Sequence, residues 1–287
     1  MKPYYESSLG KLYCGSCLDI MPELEQVDLT VTSPPYDNLR TYQGYVFNFE
    51  ATAKELFRIT KDGGVVVWVV GDSVVDGGET GTSFTQALFF KSIGFTLYDT
   101  MIYMKNGSQY PEQRRYYQCF EYMFVFSKGK PKTINLLADR ENKWAGSWGK
   151  RSRRNKDGTL IIADKIPYKK FGIRYNAWKI NCGHGFSTKD EIAYNHPAIF
   201  PEALAQDHIL SWSNPNDIIL DPMSGSGTVA KMCERLNRRW VACEISEEYC
   251  EIVVKRIEQE SKRPRFKLSI KKETKKLKSF GLKINDI

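Results

Sequence analysis

The chain has 287 residues, 41% of them hydrophobic and 13% aromatic, which is enough apolar material to bury a core and excludes a disordered chain. Its longest apolar run, 65–70, is far shorter than the roughly 20 residues of a membrane span. Seven cysteines and no apolar N-terminal stretch point to a reducing, cytoplasmic address, and the net charge of +8 points toward a polyanion.

That charge is localised. Residues 262–287 carry ten Lys/Arg against two acids, and 143–179 carry eleven against two. A solvated basic loop and tail account for such a pattern as readily as a nucleic-acid face does.

The predicted elements alternate. Val27–Thr32 is a β-branched strand stopped by Pro34 and Pro35. A polar loop at 37–45 leads into a helix over 49–59, which Gly63-Gly64 breaks before a strand at 65–70 that is apolar throughout, as in a sheet covered on both faces. A Gly/Asp-rich loop at 72–81, a helix at 84–92 and strands at 97–103 and 120–127 follow. From 131 to 195 the rhythm fails in a stretch rich in Lys, Arg, Gly, Asn and Trp; long irregular segments inside regular domains are usually functional. A helix at 201–211, a strand at 217–220, a Gly/Ser turn at 221–228, a helix at 229–236, a strand at 240–245 and a charged helix at 247–260 complete the pattern before a Lys-rich tail.

Two segments carry chemistry. In Asp221-Pro222-Met223-Ser224-Gly225-Ser226-Gly227-Thr228, glycines at a strand-to-helix turn let a ligand approach the backbone. Glu244 follows Asp221 by 23 residues, at the end of the next strand, where an acid accepts ribose hydroxyls. Ala230 stands at the third glycine position of a dinucleotide fingerprint and no Walker lysine follows, so the ligand reads as a nucleoside without pyrophosphate, with S-adenosylmethionine the obvious one. The second segment is Thr32-Ser33-Pro34-Pro35-Tyr36. Two prolines fix the Ser33 hydroxyl and the Pro34 carbonyl as acceptors beside a flat tyrosine, which suits an exocyclic amine on a planar base. Each segment alone also reads as a plain rigid turn.

Together they resemble the amino-methylating DNA methyltransferases, whose catalytic tetrapeptide has the form (Asp/Asn/Ser)-Pro-Pro-(Tyr/Phe/Trp). The resemblance covers nearly the whole chain, and the order, with the catalytic motif first, is similar to the permuted β class. It implies an α/β, Rossmann-like S-adenosylmethionine-dependent methyltransferase fold with an inserted target-recognition region. Residues 1–130 would be the catalytic half, 131–195 the recognition region, 196–261 the cofactor-binding half and 262–287 a basic tail. Ser33, Pro34, Pro35 and Tyr36 would be catalytic. Asp221 to Thr228 and Glu244 would hold the cofactor, and Phe200, in the His196–Glu202 segment, would line its methionine end. The family's Gly-Asp near the cofactor adenine is Gly15-Ser16 here, so Ser16 or Asp19 would take that role.

Lys150, Arg151, Arg153, Arg154 and Arg40 are candidate contacts to double-stranded DNA, whose target base must leave the duplex. Serine at the first motif position resembles the cytosine-N(4) group most, with adenine-N(6) the alternative. RNA or a protein glutamine, methylated by similar Asn-Pro-Pro-Tyr enzymes, is a more distant one. No metal is expected, because Cys14-x-x-Cys17 has no second C-x-x-C. Members of this class often dimerise, and a companion restriction endonuclease is a further possible partner; the sequence leaves both open.

Overall fold

Alternation along 65–70 divides the molecule into layers. Val65, Val67 and Val69 enter one apolar core, while Val66, Trp68 and Val70 enter another on the opposite face. The structure, a computed structural model, describes residues 1–35, 47–107 and 115–263. Its strands begin with β1 (Tyr5–Glu6), β2 (Gly10–Cys14), β3 (Val27–Thr32), β4 (Thr60–Val70), β5 (Val74–Val75), β6 (Gly78–Glu79), β7 (Thr96–Met104) and β8 (Phe120–Ser127). They continue with β9 (Arg140–Glu141), β10 (Trp148–Arg154), β11 (Leu160–Pro167), β12 (Phe171–Gly172), β13 (Ala177–Lys179), β14 (Ile218–Asp221) and β15 (Arg239–Glu244). The helices are α1 (Cys17–Ile20), α2 (Phe49–Ile59), α3 (Thr82–Ser92), α4 (Glu202–Trp212), α5 (Thr228–Leu236) and α6 (Glu247–Ser261). No helix of the described residues is long and apolar enough to cross a membrane.

Nine strands form one sheet in the order β1-β2-β15-β14-β3-β4-β8-β7-β13. The five from β2 to β4 in that order run parallel, and β8 is antiparallel to both its neighbours. Buried residues of α4, α5 and α6 join one core and those of α1, α2 and α3 the other, so helices cover both faces. From β3 the chain crosses through α2 to β4, and from β14 it crosses through α5 to β15 on the other side. The winding therefore reverses between β3 and β14, and the crevice outside their carboxyl ends is where open α/β sheets place ligands.

Three sequence expectations need correcting. Gly63-Gly64 do not separate α2 from the next strand; β4 starts at Thr60, and the glycines lie where its register against β3 shifts. Gly63, at φ +80°, takes the left-handed conformation that such an irregularity requires. The strand β2 is not foreseen from sequence, yet it pairs with β15 along its whole length. The 131–195 stretch is not irregular throughout: β10 and β11 form a hairpin, and β13 extends the main sheet beside β7. Trp178 of β13 lies in the core at 6% exposure, so it is packing and not a base-stacking platform.

Candidate active site

At the switch point a cavity of about 770 Å³ is lined from β3 by Thr32, Ser33, Pro34 and Pro35 and from β14 by Asp221 and the turn after it. Thr32 and Pro34 are buried; Ser33 and Pro35 are half-buried against the cavity. Tyr36 and Arg40 lie outside the described residues, as does loop 37–45. Loop 72–81 holds the small β5–β6 hairpin, and its first residue, Asp72, lines the cavity.

The turn after β14 is shaped by what touches it. Gly225 and Gly227 have φ of +51° and +76°. A Cβ on Gly225 would meet His196 Nε2 at 2.9 Å, and one on Gly227 would meet Val253 Cγ1 at 2.7 Å, so neither position admits a side chain. The Gly225 amide donates to Glu244 Oε2 at 2.7 Å and the Ser246 amide to Oε1 at 3.0 Å. Glu244 thus braces the turn while lining the cavity, and burial pushes its carboxyl upward. Burial likewise pushes the Asp221 carboxyl up to about 7; the Thr32 hydroxyl opposes the rise with a 2.9 Å hydrogen bond, and Glu244 adds to it.

Behind the turn lies a buried charge network that sequence reasoning missed. Arg256, at 0% exposure, donates to the Ser226 carbonyl at 2.6 Å and to Thr228 Oγ1 at 3.1 Å. Its other nitrogens reach Asp190 and Glu202, which also hold the Nζ of buried Lys231. A signal was present: Arg256 lies three residues beyond Val253 and beside Ile257, on the apolar stripe of α6, where a charge must have a partner.

The remaining candidates divide. Phe200, Pro222, Ser224, Ser226 and Thr228 all line the cavity, and His196 packs edge-on to Tyr249 at 4.5 Å between ring centroids. Ser16 lines it too and caps α1, its hydroxyl accepting from the Leu18 amide at 3.3 Å. Asp19 does not: it is exposed on α1, because the cap turns that helix so that Cys17 and Ile20 face the core. Of the basic candidates, Lys150, Arg151, Arg153 and Arg154 all fall on β10. Arg153 and Arg154 are exposed, and Arg154 donates to the Gly158 carbonyl of its own hairpin at 3.1 Å.

The donor set fits S-adenosylmethionine. The open Gly225 backbone, the cavity-facing Glu244 carboxylate and the buried Ser224 hydroxyl, which has no partner among the described residues, suit a nucleoside with polar hydroxyl and amino-acid ends.

Comparison with known proteins agrees with this geometry. A family model described as "DNA methylase" matches residues 27–255. The orphan methyltransferase M.BamHII of Bacillus amyloliquefaciens is 60% identical over 236 residues, which cover 80% of this chain and 88% of that protein. The Type II methyltransferase M.SmaI of Serratia marcescens is 26% identical, covering 86% of this chain and 90% of its own. Among solved structures, the PvuII DNA methyltransferase, described as cytosine-N4-specific, superposes with a TM-score of 0.67 at 21% identity, over 98% of this chain and 96% of that one. The M1.HpyAVI–SAM complex does so with a TM-score of 0.57 at 20% identity, over 87% and 100%. At these identities the two structures share the fold.

Proposed function

The chain belongs to the DNA methylase family, and from that premise we propose that it methylates the exocyclic N4 amine of a cytosine flipped out of double-stranded DNA. One observation carries the reading: the Ser33-Pro34-Pro35 turn and the Gly225–Gly227 turn end adjacent parallel strands and line one cavity. When bound, S-adenosylmethionine supplies a sulfonium methyl, to which the amine lone pair bonds as the carbon–sulfur bond breaks toward sulfur. Ser33 Oγ and the Pro34 carbonyl accept the two amine hydrogens. That draws the lone pair out of conjugation with the ring and aims it, while Tyr36 stacks on the base. The methylated amine then passes one proton to solvent water, and no covalent bond to the enzyme is needed; positioning and electrostatics supply the rate.

Glu244 receives the ribose hydroxyls, Ser224 and the 196–201 segment hold the amino-acid end, and Ser16 approaches the adenine. The 131–195 insert reads the DNA, with the β10–β11 hairpin and its arginines against the backbone or base edges. The cytosine assignment is supported by serine at the first motif position. The description of M.BamHII as an orphan supports a methyltransferase that works without a companion endonuclease. The seven cysteines of this chain, none in a disulfide, suit the cytoplasm.

The test is transfer of labelled methyl from S-adenosylmethionine to plasmid DNA by the wild type and by Ser33→Ala and Pro34→Ala. Label in the DNA with wild type, and its loss by at least about a hundredfold in the variants, is expected because Ser33→Ala removes an acceptor and Pro34→Ala frees the backbone that holds the carbonyl in place. Full activity in both variants contradicts the site.

A further inference from the structure

The strands β3 and β14 are paired through Ile219 with Leu29 and Leu220 with Thr30, and there the backbone ladder between them ends. Beyond it no main-chain pair links these two strands among the described residues. β3 stays paired to β4 through Thr32 and Trp68, and β14 to β15 through Asp221 and Ala242, so the two turns are tied to each other by the main chain only through their outer neighbours. A side-chain bond links them directly. Thr32, the last residue of β3 and 1% exposed, donates from Oγ1 to Asp221 Oδ1, the last residue of β14, at 2.9 Å. The same oxygen also accepts from the Met223 amide at 3.3 Å, so it ties the end of β3 into the turn itself. Ser33 follows Thr32 directly.

We propose that Thr32 is a positioning residue for methyl transfer: its hydrogen bond to Asp221 fixes the amine-accepting turn relative to the donor-holding turn. The inference rests on the methyl-transfer reading above. A bond at this place acts on the distance between amine and methyl, not on the grip of either turn on its own ligand. Losing it therefore lowers turnover and leaves ligand affinity in place; a misplacement of about 1 Å can cost on the order of a hundredfold in rate. Thr30, two residues earlier on the same side of the strand, supplies an internal control, since its buried hydroxyl has no partner among the described residues.

The pH profile gives a readout that a merely structural threonine would not move. Titratable neighbours of Asp221 are Glu244 and Cys243 from β15 and Cys233 from α5, and burial pushes both thiols up so that they stay neutral. Glu244 keeps its two amide donors when Thr32 is changed. Removing the Thr32 hydroxyl takes away one of the two hydrogen bonds that hold the Asp221 carboxyl down, the other coming from the Met223 amide. The carboxyl then ionises at higher pH, and an acid limb of turnover set by it moves up with it.

The experiment compares Thr32→Val, Thr32→Ser and Thr30→Val by melting temperature, KM for S-adenosylmethionine, kcat at saturating substrates and the pH dependence of kcat. Thr32→Val is expected to lose about 10- to 100-fold in kcat with KM within about threefold, and to shift the acid limb upward. Thr32→Ser should recover most of the loss, and Thr30→Val should match wild type. If Thr32→Val does not fold, Thr32→Ala is read against Thr30→Ala in the same way. A wild type that methylates no DNA overturns the functional reading and this inference with it. An active wild type with an equally active valine or alanine variant overturns this inference alone, as does a kcat loss that Thr32→Ser does not recover.

Discussion

Glu244 uses both carboxylate oxygens on backbone amides of the turn it faces, so its removal has two consequences. The turn loses its brace, and under the proposed assignment the ribose loses its acceptor. With a charge-assisted hydrogen bond worth about 1.5–3 kcal/mol, Glu244→Ala should weaken S-adenosylmethionine binding roughly 10- to 100-fold by titration calorimetry. Asp221 differs because its environment opposes ionisation. Its carboxyl titrates near 7 in the folded chain, against an ordinary 3.8. The folded protein therefore keeps a proton that the unfolded chain gives up, and that contribution to stability is present at low pH and lost as pH rises through about 7. Asp221→Asn removes the penalty, so its melting temperature relative to wild type should increase between pH 5 and pH 8. Both acids were legible in the sequence, since chemistry confines an acid and two glycines to fixed offsets around a strand end. Asp19 was a weaker inference: offset alone does not say which way a short helix turns.

Among the elements, α6 does more than cover the sheet. Val253 fills the space where Gly227 lacks a Cβ, and one turn later Arg256 grips the Ser226 carbonyl. Arg256→Met would leave buried Asp190 and half-buried Glu202 with Lys231 alone as cationic partner, so urea unfolding should show a loss of about 1.5–3 kcal/mol from the lost charge-assisted hydrogen bonds. The helix over 247–260 was readable from its charged amphipathic pattern, and 65–70 from its unbroken apolar run. The ion pairs of α6 were not, because Asp190 lies 66 residues away and only the fold brings it close. The strand β2 escaped for the opposite reason: Gly-Lys-Leu-Tyr-Cys has neither alternation nor length, and its identity comes from its pairing with β15. Within 131–195, the hairpin strands read Trp-Gly-Lys-Arg-Ser-Arg-Arg and Leu-Ile-Ile-Ala-Asp-Lys-Ile-Pro, and neither has the polar/apolar alternation that marks a half-buried strand.

For the whole molecule, charge and topology divide the labour. Six of the eleven Lys/Arg in 143–179 fall within the β10–β11 hairpin, against two acids there, while the turn that carries Gly225 and Gly227 is built from the later half of the chain. This partition was visible in the sequence as a charge count and as motif order; the route from the hairpin back into the sheet through β13 was not. Replacing both Arg153 and Arg154 by Ala should leave S-adenosylmethionine affinity unchanged. It should also reduce the slope of log affinity for duplex DNA against log salt by about 1–2, measured by fluorescence anisotropy. An unchanged slope would move DNA binding elsewhere on the surface.

The most direct measurement is nucleoside mass spectrometry on the DNA of a bacterial host without methylation of its own, expressing the wild type or Pro34→Ala. N4-methylcytosine should accumulate with the wild type and be absent with the variant. N6-methyladenine in its place would contradict the target base, and no methylated amine from a folded enzyme that binds S-adenosylmethionine would contradict DNA amino-methylation itself.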